Sequence, residues 1–341
     1  MHKQVTEKLP GIFEINLYQG RDEIHIYLVK GYTGQKSLMI DTGYNTAENR
    51  DILDQVLADL NIPHKDLDIF LTHKHHDHTG IASSLQKKGA TIHMNPLEDR
   101  HRYDCLYYGH GEKAIDEQNK VLKRVGVTPE RTLDVWNGYK AFNEYYQNAV
   151  TEETFKTRIF TYNPIRHKQT FTYGDYTFQA ISLPGHTLGQ LGLYDKQHKI
   201  LFSGDQIIKH IVPIVGTSYT NEHLLTQYFH SLEQFKSLYR DCTFYPAHGE
   251  SFNNSEEIVE KILSAYRKKL VATHNTLQNS AEALTVQEIA FRVYGVYTLP
   301  PNAPDFFKIK AIITKTFSCL EYLYDQKYCS RMEQDGMLFY R

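Results

Sequence analysis

No run in this chain approaches the roughly 18 apolar residues that a membrane-spanning helix needs. The first eight residues, Met1 to Lys8, hold neither the apolar core nor the cleavage site of a signal peptide. Both absences predict a cytoplasmic protein with no membrane partner. Cysteine is scarce: Cys105, Cys242, Cys319 and Cys329 are dispersed and form no C-x-x-C pair, and reduced thiols in a cytoplasmic protein are the simplest account. There is no excess of one charge either, since a formal net charge of −2 gives no general attraction to polyanions. Internal repeats and low-complexity segments are lacking too. What is present is an ordinary globular composition, 41% hydrophobic and 23% charged, in 341 residues. That length predicts two domains.

Short β-type runs at Gly11 to Ile15, Ile24 to Val29 and Ser37 to Ile40 are divided by glycine-containing turns. Apolar residues at helical spacing (Ile52, Val56, Leu57, Leu60) predict a helix from Asn45 to Leu60, stopped by Asn61-Ile62-Pro63. Further strands are expected at Ala90 to Met94, Tyr176 to Leu183, Gln190 to Tyr194, Lys199 to Ser203 and Cys242 to Tyr245, with a helix from about Glu222 to Tyr239. Strands and helices in alternation imply a layered α/β architecture. From Ser251 the pattern is helical: about 256–277, 286–294 and 306–326, the second opened by a Thr285/Glu288 capping box. A hairpin turning at Asp335-Gly336 follows. Helices followed by a small hairpin suggest a winged-helix-like domain over 251–341, after a layered α/β domain over 1–250.

The most informative stretch is Leu71-Thr72-His73-Lys74-His75-His76-Asp77-His78-Thr79-Gly80. His73, His75, Asp77 and His78 are four potential metal ligands within six residues, directly after an apolar strand. Imidazoles at i and i+2 on an extended segment point the same way. A following turn then swings Asp77 and His78 toward a second point close by, so two metal ions can sit side by side. Alternation points His76 away from them. Three later segments share one construction, a strand, then a small or turn-forming residue, then a ligand-type side chain. They are Leu183-Pro184-Gly185-His186, Phe202-Ser203-Gly204-Asp205 and Tyr245-Pro246-Ala247-His248.

His73-x-His75-x-Asp77-His78, followed by His186, Asp205 and His248, resembles the metallo-β-lactamase superfamily of metal hydrolases over residues 11 to about 250, Asp41-Thr42-Gly43 included. The resemblance implies a four-layer αβ/βα sandwich with the site at one edge of the paired sheets. It also implies His73, His75 and His186 on one metal, Asp77, His78 and His248 on the other, and Asp205 bridging. Asp41 is then expected to hydrogen-bond ligand histidines from behind. Gly204 to Ile208, Ile211-Val212-Pro213 and the helical tail look like the bacterial branch with a C-terminal winged-helix domain. Imidazole with some carboxylate suits two zinc ions, with iron or manganese as alternatives.

Between His78 and His186 lie 107 residues, and about 96–170 read as a helical, aromatic-rich insertion. Tyr103, Tyr107, Tyr108, Trp136, Tyr139, Phe142, Tyr145 and Tyr146 either cover the metal edge as a lid or pack the insertion onto the domain or a second subunit. Arg102, Lys140 and Arg166 either meet an anionic substrate group or are solvated charges. The expected function is a binuclear-metal hydrolase that uses a metal-bridging hydroxide, with Asp77 assisting proton transfer, on a thioester or lactone of a small molecule. The alternative is a metal-dependent ribonuclease or phosphodiesterase acting on single-stranded RNA. Eleven Lys/Arg against ten Asp/Glu from Ser251 to Arg341 weigh against a nucleic-acid partner. A packing or homodimer role is expected there instead.

Overall fold

A computed structural model describes residues 3–99, 111–149 and 158–341. The chain forms two compact units, each built from three segments. The first unit comprises Met1–Arg100, Thr154–Pro213 and Ser231–Val259; the second comprises His101–Glu153, Ile214–His230 and Glu260–Arg341. A single boundary near residue 250 therefore does not describe the packing, because residues from the insertion supply core side chains to the second unit.

The first unit holds two sheets. In one, β1 (Val5–Leu9), β2 (Ile12–Gln19), β3 (Asp22–Val29), β4 (Ser37–Ile40), β5 (Leu67–Phe70), β6 (Thr91–Met94) and β7 (Asn163–Pro164) lie in sequence order. The other runs β12 (Thr243–Pro246), β11 (Ile200–Gly204), β10 (Leu191–Asp195), β9 (Tyr176–Ser182) and β8 (Thr170–Tyr173). Alternation along each strand sends residues to opposite faces. In β3, Ile24, Ile26 and Leu28 join one core with Ile52, Leu53, Val56 and Leu57 of α1 (Ala47–Asp59). Tyr27 and Val29 join the other core, together with Phe178, Leu193, Phe202 and Tyr245 of the second sheet. Strands buried on both faces read as near-continuous apolar runs, as Ser37-Leu38-Met39-Ile40 does. Behind the second sheet, Phe235 meets Phe244 edge-on with ring centroids 5.3 Å apart. The αβ/βα layering expected from the sequence is present.

Pairing register places the site. β4 and β5 run parallel with Ile40 beside Phe70, and β11 and β12 run parallel with Gly204 beside Pro246. β9 is antiparallel to β10 and β10 to β11, so β9 and β11 share a direction. Within each sheet the residues that follow these strands leave at one edge. Open α/β sheets characteristically bind ligands outside the carboxyl ends of their strands. After β5 come two short helices, α2 (His76–Thr79) and α3 (Ala82–Lys87).

In the second unit, α4 (Glu112–Arg124), α5 (Leu133–Ala149) and the start of α6 (Leu224–Ser237) precede an ordered series. That series is α7 (Ser255–Gln278), β13 (Leu284–Thr285), α8 (Val286–Tyr294), α9 (Phe307–Asp325) and the hairpin β14 (Arg331–Gln334)–β15 (Met337–Tyr340), with β13 paired to β15. The expected capping box is formed: the Glu288 N–H donates to Thr285 Oγ1 at 3.3 Å, and the Thr285 N–H donates to Glu288 Oε2 at 2.8 Å. Tyr139 and Phe142 are buried in one core with Val286, Ile289, Phe306, Ile313 and Phe317, and Trp136 packs against it. For these three rings, packing is the role the structure displays. Tyr145 is exposed, as are Lys140 and Arg166. Arg102, Tyr103, Tyr107, Tyr108 and the Tyr146 side chain lie outside the described residues. Cys242, Cys319 and Cys329 are free thiols, and no described helix is long and apolar enough to cross a membrane.

Candidate metal centre

All seven side chains singled out by the sequence converge. Among the described residues, two groups have ligand atoms mutually within 4.8 Å: His73, His75, His186 and Asp205, and Asp77, His78, Asp205 and His248. Asp205 belongs to both. Its Oδ2 lies 3.4 Å from His186 Nε2 and 4.0 Å from His73 Nε2. Its Oδ1 lies 3.3 Å from His78 Nε2 and 3.5 Å from His248 Nε2. One carboxylate thus turns one oxygen to each group. Asp77 Oδ2 closes the second group, 3.2 Å from His248 Nε2.

The convergence of His73 and His75 does not arise from strand alternation. β5 ends at Phe70, and residues 72–74 are bends. His73 Nε2 and His75 Nδ1 approach to 2.9 Å, so different ring nitrogens point inward. His75 Nδ1 is also 3.0 Å from His186 Nε2. Asp77 and His78 are delivered by the single turn of α2. Gly80 ends that turn where a Cβ would stand 2.5 Å from the Gly43 carbonyl and 2.7 Å from that of His76, so a side chain there is excluded. His76 is exposed and belongs to neither ligand group, its ring packed against Tyr44.

Asp41 occupies the position the resemblance implied. It is buried at φ 61°, a left-handed conformation that costs energy for a residue with a Cβ. Its Oδ2 is 2.7 Å from His78 Nδ1, and its Oδ1 accepts the Thr72 N–H at 2.8 Å. With Asp41 accepting a hydrogen bond from Nδ1–H, His78 turns Nε2 to the centre. The Glu23 carbonyl oxygen plays the same part for His248 Nδ1 at 2.5 Å. The Thr79 hydroxyl donates to the His75 carbonyl, a turn-closing role, whereas that of Thr187 donates to Glu98. Glu98 was not singled out in the sequence.

The electrostatics are those of a crowded donor set. Burial, reinforced by four neighbouring imidazoles, holds His73 well below the ordinary histidine pKa. For His78 burial works the same way, but the Asp41, Asp205 and Asp77 carboxylates outweigh it and lift the pKa well above that value. His248, also against its burial, is pushed up to about 9, by Asp205 and Asp77. Asp77 and Asp205 are held below the usual carboxylate range, although burial alone would raise both. Buried polar atoms are normally satisfied. Yet His78 Nε2 and Asp205 Oδ1 are buried with no hydrogen-bond partner. Two orphaned lone-pair atoms aimed at one point, amid imidazoles and carboxylates, fit divalent cations.

The metallo-beta-lactamase superfamily pattern matches residues 20–248. Over 277 residues the chain is 27% identical to the lactamase-like protein notP of Aspergillus sp. (strain MF297-2), a match spanning 77% of this chain and 64% of that protein. Over 202 residues it is 24% identical to the hydroxyacylglutathione hydrolase of Bartonella henselae (strain ATCC 49882 / DSM 28221 / CCUG 30454 / Houston 1), spanning 59% of this chain and 55% of that one. The chain therefore spans less than two thirds of the length of either relative. Among solved structures, a metallo-beta-lactamase family protein from Thermus thermophilus has the same fold. Its TM-score is 0.73 over 97% of this chain and 98% of that one, at 21% identity. With the family pattern covering the whole ligand-bearing region from before Asp41 to His248, the chain belongs to the metallo-beta-lactamase superfamily of metal-dependent hydrolases.

Proposed function

We propose that the centre binds two divalent cations, zinc by first preference, and hydrolyses an ester-like bond, a thioester or lactone, of a small molecule. The observation that carries this reading is the division of Asp205, one oxygen facing each ligand group. Nitrogen and carboxylate donors without sulfur suit zinc, and iron or manganese would meet the same donors. When bound, a close pair of such ions lowers the pKa of water toward 7 and polarises the substrate oxygen. His73, His75 and His186 would hold one ion, Asp77, His78 and His248 the other, with Asp205 shared between the two groups. Asp77 lies beside His248 at the centre, a carboxylate placed to take a proton from attacking water and pass it to the leaving group. Asp41 and the Glu23 carbonyl fix two of the rings.

The thioester preference is supported by the name of the Bartonella relative, since acylglutathiones are thioesters. A second reading, hydrolysis of single-stranded RNA, is favoured by the order helix, strand, helix, helix, hairpin in the second unit, which is winged-helix-like. Its near-neutral charge favours packing or dimerisation over nucleic-acid binding. The test is metal analysis of purified protein paired with a panel of thioesters, lactones, phosphodiesters and short RNA. Two ions per chain and thioester or lactone turnover are expected. Asp205→Asn should lose the second ion while keeping the fold. Activity confined to RNA would reverse the ranking, and full binuclear occupancy in Asp205→Asn would remove the bridge.

A further inference from the structure

The structure assigns Glu98 as the positioning residue for one of the two ligand groups, an inference that rests on the metal-binding reading above. Glu98 is 1% exposed, yet both carboxylate oxygens are engaged. Oε2 accepts the N–H of Lys74 at 2.7 Å, and Lys74 stands between His73 and His75. Oε1 accepts the hydroxyl of Thr187 at 2.8 Å and the N–H of Gly189 at 2.6 Å, directly after His186. One buried side chain thus ties together the two loops that carry His73, His75 and His186. The fit is close: a Cβ on Gly189 would stand 2.9 Å from Glu98 Oε1 and 2.9 Å from its backbone nitrogen. Asn95 holds the same loop from the other side, its Nδ2 donating to the Gly189 carbonyl at 2.7 Å.

The second group is held by other means. Asp77 and His78 ride on α2, fixed by Asp41 and by Thr42, whose N–H and hydroxyl both donate to the His78 carbonyl. His248 is set by the Glu23 carbonyl. None of these bonds involves Glu98. The supports meet at Thr72, which Asp41 holds and whose hydroxyl lies 3.0 Å from His73 Nδ1, but every Glu98 bond goes to the loops of the first group, so weakening Glu98 acts mainly on one ion. Groups that orient metal ligands typically contribute about 10–100-fold to affinity. Glutamine at this position keeps the size but offers NH2 where an acceptor is required, so it opposes either the Lys74 N–H or the Thr187–Gly189 pair.

The experiment titrates chelator-treated protein with cobalt(II) chloride, following visible absorption and stoichiometry, in the unaltered chain and in Glu98→Gln, His75→Ala and His248→Ala. The step lost in His75→Ala should weaken about 10–100-fold in Glu98→Gln, and the step lost in His248→Ala should hold within about twofold. Glu98→Asp, which keeps the acceptors, should recover part of the first step. Metal-free melting curves check that each variant folds, with Glu98→Asp carrying the test should Glu98→Gln fail there. Equal weakening of both steps, or none, overturns the assignment of Glu98 while leaving the metal-binding reading intact. An unaltered chain that binds no cobalt overturns both.

Discussion

At the scale of single residues, buried acids in the first unit act through the partners placed around them. Asp68, at the far end of β5 from the ligands, receives Lys36 Nζ at 2.6 Å and the Tyr173 hydroxyl at 2.9 Å. Burial would raise its pKa, but hydrogen bonds from His93, Lys36 and Tyr173 pull it down to about 2. A depressed folded-state pKa stabilises fully above the unfolded value near 4 and loses that contribution as pH falls through about 2. Asp68→Asn should therefore cost about 1 kcal/mol at neutral pH once solvent screening is allowed for, and the cost should shrink between pH 4 and 2. Urea melts of both proteins across that range measure it; a gap that stays constant with pH would refute the linkage. The ligand residues were legible at this scale because histidine and aspartate directly after apolar strands are chemically conspicuous. Glu98 was not, because its role depends on burial and on a loop about 90 residues downstream, and neither has a local signal.

Elements show the same division between what neighbours in sequence decide and what distant packing decides. β4 and α8 were read at their observed bounds, the first from a short apolar run bounded by glycine-containing turns and the second from a capping box that both begins and orients it. β1 was missed: Val5-Thr6-Glu7-Lys8-Leu9 is mostly polar and only partly buried, so it is held by pairing to β2 rather than by apolar pattern. The aromatic insertion was legible as helix but not in its destination. Amphipathic helices show which face is buried without showing against what. For α5 the answer is the turn Pro304–Phe306 that leads into α9: Tyr139 stands edge-on to Phe306 with centroids 5.0 Å apart, and Gly138 lets that ring approach where a Cβ would be 2.1 Å from it. Tyr139→Ala should accordingly cost about 3–5 kcal/mol of stability in the second unit. Thermal melting followed by segment-resolved proteolysis would locate the loss. Full stability with altered substrate preference would restore the lid.

For the molecule as a whole, two compact units and one metal centre imply two separable levers on stability. The centre draws its ligands from behind β5, β9, β11 and β12, so a bound ion cross-links both sheets of the first unit through Asp205. Metal that binds the folded state alone adds about 2.7 kcal/mol when free ion is 100-fold above its dissociation constant. In a unit of this size that corresponds to about 5–11 °C in melting temperature. Chelation should thus lower the transition by that order and speed amide exchange in β5, β11 and β12. Exchange in α8 and α9 should respond instead to Tyr139→Ala, whose ring lies in their core. His75→Ala removes a ligand without opening an apolar cavity, and it should reduce the chelator effect while leaving the metal-free transition close to that of the unaltered chain. Hydrogen exchange measured with zinc, with chelator and with each variant reads both levers in one experiment. If chelation left β5, β11 and β12 unchanged, the seven converging side chains would not be acting as a cross-link, and the stability of the first unit would have to come from its two apolar cores alone.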